Sequence, residues 1–260
     1  MTANVRFGPA GLGPVKEAIK NLEEYNKKGI SACEIAFTYG IYIHNDSDAI
    51  KIGEKAKELG IVLSIHAPYW INLNSKEKQK IEKIKKRILN CCEIGEKLGA
   101  KRVVFHAGFF SGMDREESYQ NIKKAIIEII DEIKKNKWKI KIAPETMGKI
   151  NVFGSIEEIS RLASETGCSF CIDFAHIEAR DKKIDFEKIK KLFGAYDEWH
   201  CHFSGIVYTE KGERHHIKTK PEKWKEVLSN LPKGKNIIVI NESPDPIADS
   251  IEGQKLYKKN

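Results

Sequence analysis

Short apolar runs alternate with longer amphipathic runs along the whole chain. Eight of the short runs are rich in β-branched and aromatic residues, whereas apolar positions in the longer runs recur at the spacing of a helix face. The predicted strands are Val5–Phe7, Cys33–Phe37, Val62–His66, Val103–His106, Ile140–Glu145, Phe170–Asp173, Trp199–Phe203 and Ile237–Glu242. The predicted helices are Val15–Lys28, Ser47–Leu59, Lys76–Leu98, Glu116–Lys135, Ile156–Glu165, Phe186–Phe193, Lys223–Leu228 and Pro246–Lys258.

This alternation predicts an α/β fold built from βα units around a parallel sheet. Several predicted strands are apolar without alternation, which is typical of strands covered on both faces. Because no Pro/Ser-rich linker interrupts the units, we predict one domain over residues 1–260. A closed (β/α)8 TIM barrel is favoured over an open doubly wound sheet. Gly29, Gly60 and Gly99 each follow a predicted helix, where they are expected to end it.

Composition narrows the class of protein. Hydrophobic residues make up 41% of the 260 residues, yet no apolar run reaches the roughly 18 residues that span a bilayer. The first residues, Met-Thr-Ala-Asn-Val-Arg-Phe-Gly-Pro, do not have the pattern expected of a signal peptide. We therefore predict a monomeric cytoplasmic protein without a membrane partner. The six cysteines follow no disulfide framework and are predicted to be reduced, with a structural role for the lone Cys168/Cys171 pair. The net charge of +8 fits either a lysine-rich solvated surface or attraction to nucleic acid.

Potential metal ligands stand at the ends of six successive predicted strands. In a barrel, these ends meet at one face, so imidazoles and carboxylates would converge there. Without cations the carboxylates would repel one another and lie buried without partners. The pattern therefore predicts a site for divalent cations, with zinc, manganese and iron all suited to such ligands. The strand-end residues are His66, His106, Glu145, Asp173, His202 and Glu242.

Other polar residues near these strand ends extend the candidate set. His176 follows Asp173 closely, and the loop after His202 carries Glu213, His215 and His216. His200 precedes His202 by two positions, so it is expected to point the same way one layer deeper, in a supporting role. His44 is expected on the surface. No GxGxxG or GxxxxGK motif follows the first strand, so no nucleotide cofactor is predicted.

Several of these residues lie in segments that resemble motifs of one enzyme family, the endonuclease IV family of apurinic/apyrimidinic endonucleases. The family belongs to the xylose-isomerase-like TIM barrels and carries three zinc ions. The resemblance covers nearly the whole predicted barrel. The segments are Ser64-Ile-His-Ala-Pro-Tyr-Trp-Ile-Asn-Leu, His106-Ala-Gly, Pro144-Glu-Thr, Cys171-Ile-Asp-Phe-Ala-His and Glu242-Ser-Pro-Asp-Pro.

The resemblance implies a ligand set for each of three metal ions. His66 and His106 would bind the first, and Glu145 would bridge it to the second. His176, Glu213 and one of the paired histidines would bind the third. The spacing of Glu213-Arg-His resembles the acid-x-His pair of the family and favours His215, while the doubled histidine leaves His216 open. The second site would be completed by Asp173, His202 and Glu242.

The resemblance also implies an activity. The enzyme would hydrolyse the DNA backbone 5′ to an abasic site, with Glu145 as a catalytic metal ligand and a hydroxide shared by two metals as the nucleophile. Zinc is the expected cofactor, with manganese or iron possible at one or more sites. Double-stranded DNA containing abasic sites would be the partner, and Tyr69 and Asn72 would face it.

Two other functions remain open because residues beside the ligands depart from the family motifs. Trp70 stands where an aliphatic residue is usual, Phe174-Ala replaces Thr-Cys, and Phe203-Ser-Gly replaces the usual Asn-Asp-Ser-Lys. The first alternative is a sugar isomerase or epimerase of the same barrel superfamily, for which Glu145, Asp173, His202 and Glu242 would suffice. The second is a barrel that binds DNA or a partner without turnover.

Overall fold

All eight predicted strands are present in the computed structural model, which describes residues 4–259. A short antiparallel hairpin, formed by β8 (Gly205–Thr209) and β9 (Gly212–Ile217), was not predicted. The second of these strands is mostly polar, and the first, although rich in β-branched residues, follows the predicted strand Trp199–Phe203 after only one residue. The strands are β1 (Asn4–Pro9), β2 (Ala32–Ala36), β3 (Val62–His66), β4 (Arg102–Phe105), β5 (Lys141–Pro144), β6 (Ile172–Asp173), β7 (Glu198–His202), β8 (Gly205–Thr209), β9 (Gly212–Ile217) and β10 (Asn236–Asn241).

The parallel strands close into a barrel. One sheet has the order β1-β10-β7-β6 and the other the order β2-β3-β4-β5. Parallel bridges join the two sheets at both seams, between Ala10 and Glu34 and between Glu145 and Cys171. At the first seam the Gly11 N–H donates to the Glu34 carbonyl over 2.7 Å. The predicted closed TIM barrel is thus confirmed.

The predicted helices are also present, with ends that differ by at most a few residues. An additional helix, α6, was missed because it follows β6 without a loop and is buried almost throughout, so it has no amphipathic pattern. The helices are α1 (Ala18–Lys27), α2 (Asp46–Glu58), α3 (Lys78–Leu98), α4 (Arg115–Lys135), α5 (Ile156–Thr166), α6 (Phe174–Asp181), α7 (Phe186–Phe193), α8 (Pro221–Asn230) and α9 (Pro246–Tyr257).

Local chemistry explains several helix boundaries. The predicted glycine stops are confirmed: Gly29, Gly60 and Gly99 have φ values of 78°, 68° and 65°, in the left-handed region that favours glycine after a helix. At its start, α5 has a capping box: the Ser155 side chain accepts a hydrogen bond from the backbone N–H of Glu158, and the Glu158 side chain accepts one from the backbone N–H of Ser155.

None of the helices described for residues 4–259 is both long and apolar enough to cross a bilayer.

The main hydrophobic core lies between the strands and the helices. Trp224 of α8, for example, packs edge-on against Phe203 and Phe7, with ring centroids 5.0 and 6.0 Å away. All six cysteines are free thiols, as predicted, and all six are buried. A small separate apolar cluster is formed by Val104, Ala143 and Cys171 of adjacent strands. Buried polar residues on the strands include Glu34, Ser64, His200 and His202.

The seam between β1 and β2 depends on the absence of a side chain at Gly8. A Cβ atom there would lie 1.8 Å from the Ala32 carbonyl oxygen. We expect Gly8→Ala to lower the free energy of unfolding by about 3 kcal/mol or more, because backbone atoms cannot give way as a side chain can. Gly60→Ala is the control, since open space surrounds that Cβ position and only the left-handed φ opposes it. Urea unfolding that finds Gly8→Ala no more costly than the control would contradict this prediction.

Candidate metal centre

Four imidazoles surround one buried carboxylate at the carboxyl end of the barrel. Glu145 follows β5 and is fully buried. Its Oε2 lies 3.2 Å from Nε2 of His66 and 3.2 Å from Nε2 of His106. Its Oε1 lies 3.3 Å from Nδ1 of His176 and 3.2 Å from Nδ1 of His202. The structure therefore brings together residues that are far apart along the chain, with Glu145 at the centre.

Three overlapping groups of donor atoms lie around this carboxylate. Within each group, the donor atoms lie within 4.8 Å of one another, close enough to share one cation. Glu145 belongs to the first and second groups, and Asp173 to the second and third, so neighbouring groups share a carboxylate. The groups are His66, His106 and Glu145; Glu145, Asp173, His202 and Glu242; and Asp173, His176 and His216.

Unsatisfied buried atoms test whether these residues fit cations. Among the described residues, the buried atoms that accept or donate no hydrogen bond include Glu145 Oε1, Asp173 Oδ2, His202 Nδ1 and Glu213 Oε2 at the donor groups, and Glu34 Oε1 and His202 Nε2 just below them. Several of them face imidazole nitrogens within about 3.3 Å, but at angles that do not make a hydrogen bond. A buried polar atom without a partner costs free energy. Divalent cations would satisfy these atoms, so the donor set fits them.

The pKa values of the carboxylates and imidazoles in this centre depend on one another. Burial alone would raise the pKa of Glu145, but the charge of His202 and the contacts with His106 and His176 hold it well below its usual value. Burial raises the pKa of Asp173. For His66, burial would lower the pKa, but the bond to Glu145 and nearby carboxylates raise it to about 9. Protons on the imidazoles therefore balance the carboxylates whenever cations do not.

The β8–β9 hairpin decides which of the paired histidines reaches the centre. In the hairpin register, Val207 faces His215 while Tyr208 faces Glu213, so Arg214 is an extra, bulged residue. A bulge reverses the faces of a strand beyond it. His216 therefore shares a side with Glu213, whose Oε2 lies 3.1 Å from Nε2 of His176.

His215 lies exposed and belongs to none of the donor groups. The preference for His215 that the acid-x-His spacing suggested does not match this register, because that spacing assumes a regular strand. Nδ1 of His216 lies 2.6 Å from the Ser204 hydroxyl, and its ring lies 5.4 Å from that of His176. His216, not His215, is thus the histidine that the fold brings to the third group.

The two residues expected to face DNA differ in their surroundings. The Tyr69 ring stacks on His106, with centroids 5.5 Å apart, and 46% of the residue is exposed. Burial of its hydroxyl, with a contribution from Glu242, raises the pKa of Tyr69 to about 12. The Asn72 oxygen instead accepts from the backbone N–H groups of Asn74 and Phe109, both over 3.1 Å. Tyr69 is open to the mouth of the barrel, whereas Asn72 braces its loop.

One residue close to the centre was not identified from the sequence. Glu34 of β2 is fully buried, and its Oε1 lies 2.9 Å from Nε2 of His202. Its Oε2 accepts from Ser64 over 2.7 Å and lies 3.0 Å from Nε2 of His200. His200 is thus one layer deeper, as expected, and His44 is exposed. The available signal was an acid alone inside the apolar run Ala32-Cys-Glu-Ile-Ala.

Comparison with known proteins relates the chain to one barrel family. A family model described as xylose isomerase-like TIM barrel matches residues 22–260. An uncharacterized protein of Methanocaldococcus jannaschii is 33% identical over 271 aligned residues, covering 97% of this chain and 97% of that protein. A probable endonuclease 4 of Acholeplasma laidlawii is 32% identical over 152 residues, covering 53% of this chain. The match spans 50%, about half, of that relative's length.

Solved structures share the fold at low sequence identity. The crystal structure of SacUVDE superposes with a TM-score of 0.77 at 15% identity, covering 99% of this chain and 98% of that one. Endonuclease IV from Thermus thermophilus gives 0.68 at 16%, covering 99% and 100%. D-Psicose 3-epimerase from Clostridium cellulolyticum gives 0.72 at 11%, covering 100% and 99%. At such identities the likeness establishes the shared barrel alone.

The hairpin register can be tested with two matched variants. His216→Ala should weaken zinc binding at the third group by about tenfold or more, because it removes one donor. His215→Ala is the control, and we expect it to bind zinc like the unaltered protein. Zinc content after gel filtration and competition with a chromophoric chelator measure both. Loss of zinc in the His215 variant alone would contradict the register.

Protons and cations should compete for this centre. In the cation-free protein the pKa of His66 is raised from 6.5 to about 9. The stability that this shift contributes is fully present below pH 6.5 and is lost as the pH rises through about 9. Zinc needs deprotonated imidazoles, so its stabilising effect should instead grow across that range.

Thermal melts with zinc and with a chelator, from pH 6.5 to about 9, check this prediction. The melting temperatures of the two forms should diverge as the pH rises. Two curves that stay parallel throughout would show that His66 does not lose a proton when zinc binds.

Proposed function

The chain belongs to the family of xylose isomerase-like TIM barrels, and we propose that it is a metal-dependent DNA-repair phosphodiesterase that cleaves the backbone 5′ to abasic sites. The observation that carries the proposal is the presence of three adjacent donor groups linked by Glu145 and Asp173. Cleavage of a phosphodiester benefits from several cations, because charge develops on both the attacking and the leaving oxygen. A single-cation isomerase would need only one of these groups.

The proposed ligands divide among three cations. His66 and His106 would hold the first cation with Glu145, which would also reach the second. His176 and His216 would hold the third with Asp173, and Glu213 lies against His176. We propose zinc as the metal, with manganese or iron possible at one or more sites. The remaining ligands of the second cation would be Asp173, His202 and Glu242.

When bound, such cations lower the pKa of water toward about 7 and stabilise negative charge on phosphoryl oxygens. The chain's own side chains would orient the substrate. The Tyr69 hydroxyl, whose pKa is raised from 10.0 to about 12, is protonated at neutral pH as in any tyrosine, and it can donate a hydrogen bond to a phosphate. Stacking on His106 helps to hold the Tyr69 ring beside the donor groups. Tyr69 would thus hold the phosphodiester against the cation groups.

Exposed aromatic side chains at the mouth support a nucleic-acid substrate. Tyr39, Trp70 and Phe109 lie on the loops after β2, β3 and β4, and they are 92%, 72% and 49% exposed. Aromatic rings of this kind stack on bases and sugars. An abasic nucleotide is easily turned out of the duplex, because the missing base removes much of the stacking cost. The net charge of +8 also favours binding to a polyanion.

A sugar epimerase is the second candidate, and one observation favours it. The four donors Glu145, Asp173, His202 and Glu242 alone could hold one cation beside a small substrate. An epimerase shares this barrel with a TM-score of 0.72. Metal analysis separates the two candidates, since we expect about three cations per chain for the phosphodiesterase and one for the epimerase.

Cleavage of a duplex with one abasic site tests the proposal. With zinc or manganese supplied, the protein should cut 5′ to the site, leaving a 3′-hydroxyl, and chelators should abolish the cut. Glu145→Gln should lower the rate by more than about 100-fold, because it removes a carboxylate shared by two groups. Glu198→Gln, an exposed acid at the opposite end of the barrel, is the control and should cut normally.

Two results would contradict the proposed activity. The first is an abasic duplex that stays intact at low salt with metal-loaded protein; turnover of a ketohexose by the same preparation would then favour the epimerase. The second is unchanged cleavage by the Glu145→Gln protein, which would point to a contaminating nuclease.

A further inference from the structure

A second polar layer lies inside the barrel, directly beneath the strand-end donors. Residues two apart on a strand face the same side, so His200 lies under His202 on β7. Glu34 on β2 and Ser64 on β3 also belong to this layer with His200, and all three are at most 2% exposed. Interior positions of such barrels are usually filled by Val, Ile and Leu. A buried acid, hydroxyl and imidazole at this depth therefore need a physical reason.

Glu34 reaches the metal centre through His202. Nε2 of His202 lies 2.9 Å from Glu34 Oε1. Nδ1 of the same ring lies 3.2 Å from Glu145 and 3.5 Å from Glu242. The ring is therefore clamped between a carboxylate below and the donor group above. Despite the short distance, Nε2 of His202 and Oε1 of Glu34 do not have the geometry of a hydrogen bond, so the contact is an ionic one. The negative charge of Glu34 beside Nε2 favours a proton on that nitrogen, which leaves the lone pair of Nδ1 for the donor group.

The position of Glu34 is itself fixed by two neighbours. Its second oxygen, Oε2, accepts a 2.7 Å hydrogen bond from the Ser64 hydroxyl and lies 3.0 Å from His200 Nε2. A buried carboxylate contributes little to stability by itself, and apolar residues of similar volume often serve the fold as well. The contacts instead hold one carboxylate oxygen under His202.

We propose that Glu34 is a positioning residue of the metal centre, which orients His202 so that its Nδ1 binds the second cation, while Ser64 and His200 keep Glu34 in place. The inference rests on the proposed metal centre but not on the substrate, because hydrolase and epimerase alike would need His202 as a ligand.

The same layer could instead hold a cation of its own, and the contacts of its histidines argue against this. Cys171 also lies near His200 and His202, as a set of three buried donors within 4.8 Å. Glu34, however, already contacts Nε2 of both histidines. We therefore assign the layer to support of the cation above and not to a deeper cation site.

Cation affinity of the intact chain tests the assignment. Glu34→Gln keeps the shape of the side chain but removes the charge, and its amide can turn a donor toward His202. We expect one of the bound zinc ions to dissociate about 10- to 100-fold more readily in chelator competition. The visible absorption of the cobalt-loaded variant should change as well, because the His202 ligand is no longer held in one orientation.

Asp249→Asn is the matched control. Asp249 is another fully buried carboxylate, which accepts from Thr219 and Trp224 and belongs to none of the donor groups. Its loss should lower the melting temperature without altering zinc affinity or the cobalt spectrum. If Glu34→Gln does not fold, Ser64→Ala removes one hydrogen bond from Glu34, and the same zinc ion should be bound a few-fold more weakly.

Two outcomes would overturn the inference. One is a Glu34→Gln protein that is destabilised like the control but retains its zinc affinity and cobalt spectrum, which would make Glu34 only a buried part of the core. The other is loss of a whole zinc ion from Cys171→Ser, which would make the layer a cation site. A wild-type protein that binds zinc but leaves abasic DNA intact would refute the phosphodiesterase alone.

Discussion

The structure depends on the compensation of buried negative charge at one end of the barrel. Four carboxylates, those of Glu34, Glu145, Asp173 and Glu242, lie inside a small region from which water is largely excluded. Isolated carboxylates at such positions would be prohibitively costly. Imidazoles surround them, and the positions of these imidazoles are consistent with either protons or divalent cations as the compensating charge. The chemistry of the centre follows from this constraint.

The barrel makes such a concentration of charge tolerable. Its stability comes from the apolar layer between strands and helices, which is continuous around the molecule. The inside of the barrel can then be polar without loss of the fold, because the apolar layer between strands and helices already supplies most of the buried apolar contacts. Potential donors that come from six different strand ends are also held rigidly, since neighbouring strands pair with the strands that carry them. This rigidity positions donors more accurately than mobile loops would.

The shared scaffold accommodates more than one reaction. The group that contains Glu145, His202 and Glu242 lies at the centre of the barrel and suits either hydrolysis or epimerisation. The periphery of that group adds two histidines at the ends of β3 and β4, a third donor group that includes a histidine of the hairpin, and exposed aromatic rings on the loops after β2, β3 and β4. These additions are what the proposal of a polymeric substrate rests on.

The sequence by itself determined the order of strands and helices, the closed barrel and the strand-end residues that meet at its rim. These features depend on local periodicity, and parallel strands necessarily end at one face. Helix α6 was missed because it is buried on nearly all sides, and the hairpin because β9 is mostly polar and β8 follows the preceding strand almost directly.

Only the tertiary structure decided between His215 and His216, since one bulged residue, Arg214, reverses which side chains face inward. It also revealed Glu34, whose partners His200 and His202 lie more than 160 residues away in the chain. Periodicity describes neighbours along a strand, whereas contacts across the barrel depend on which strands face each other and at what height.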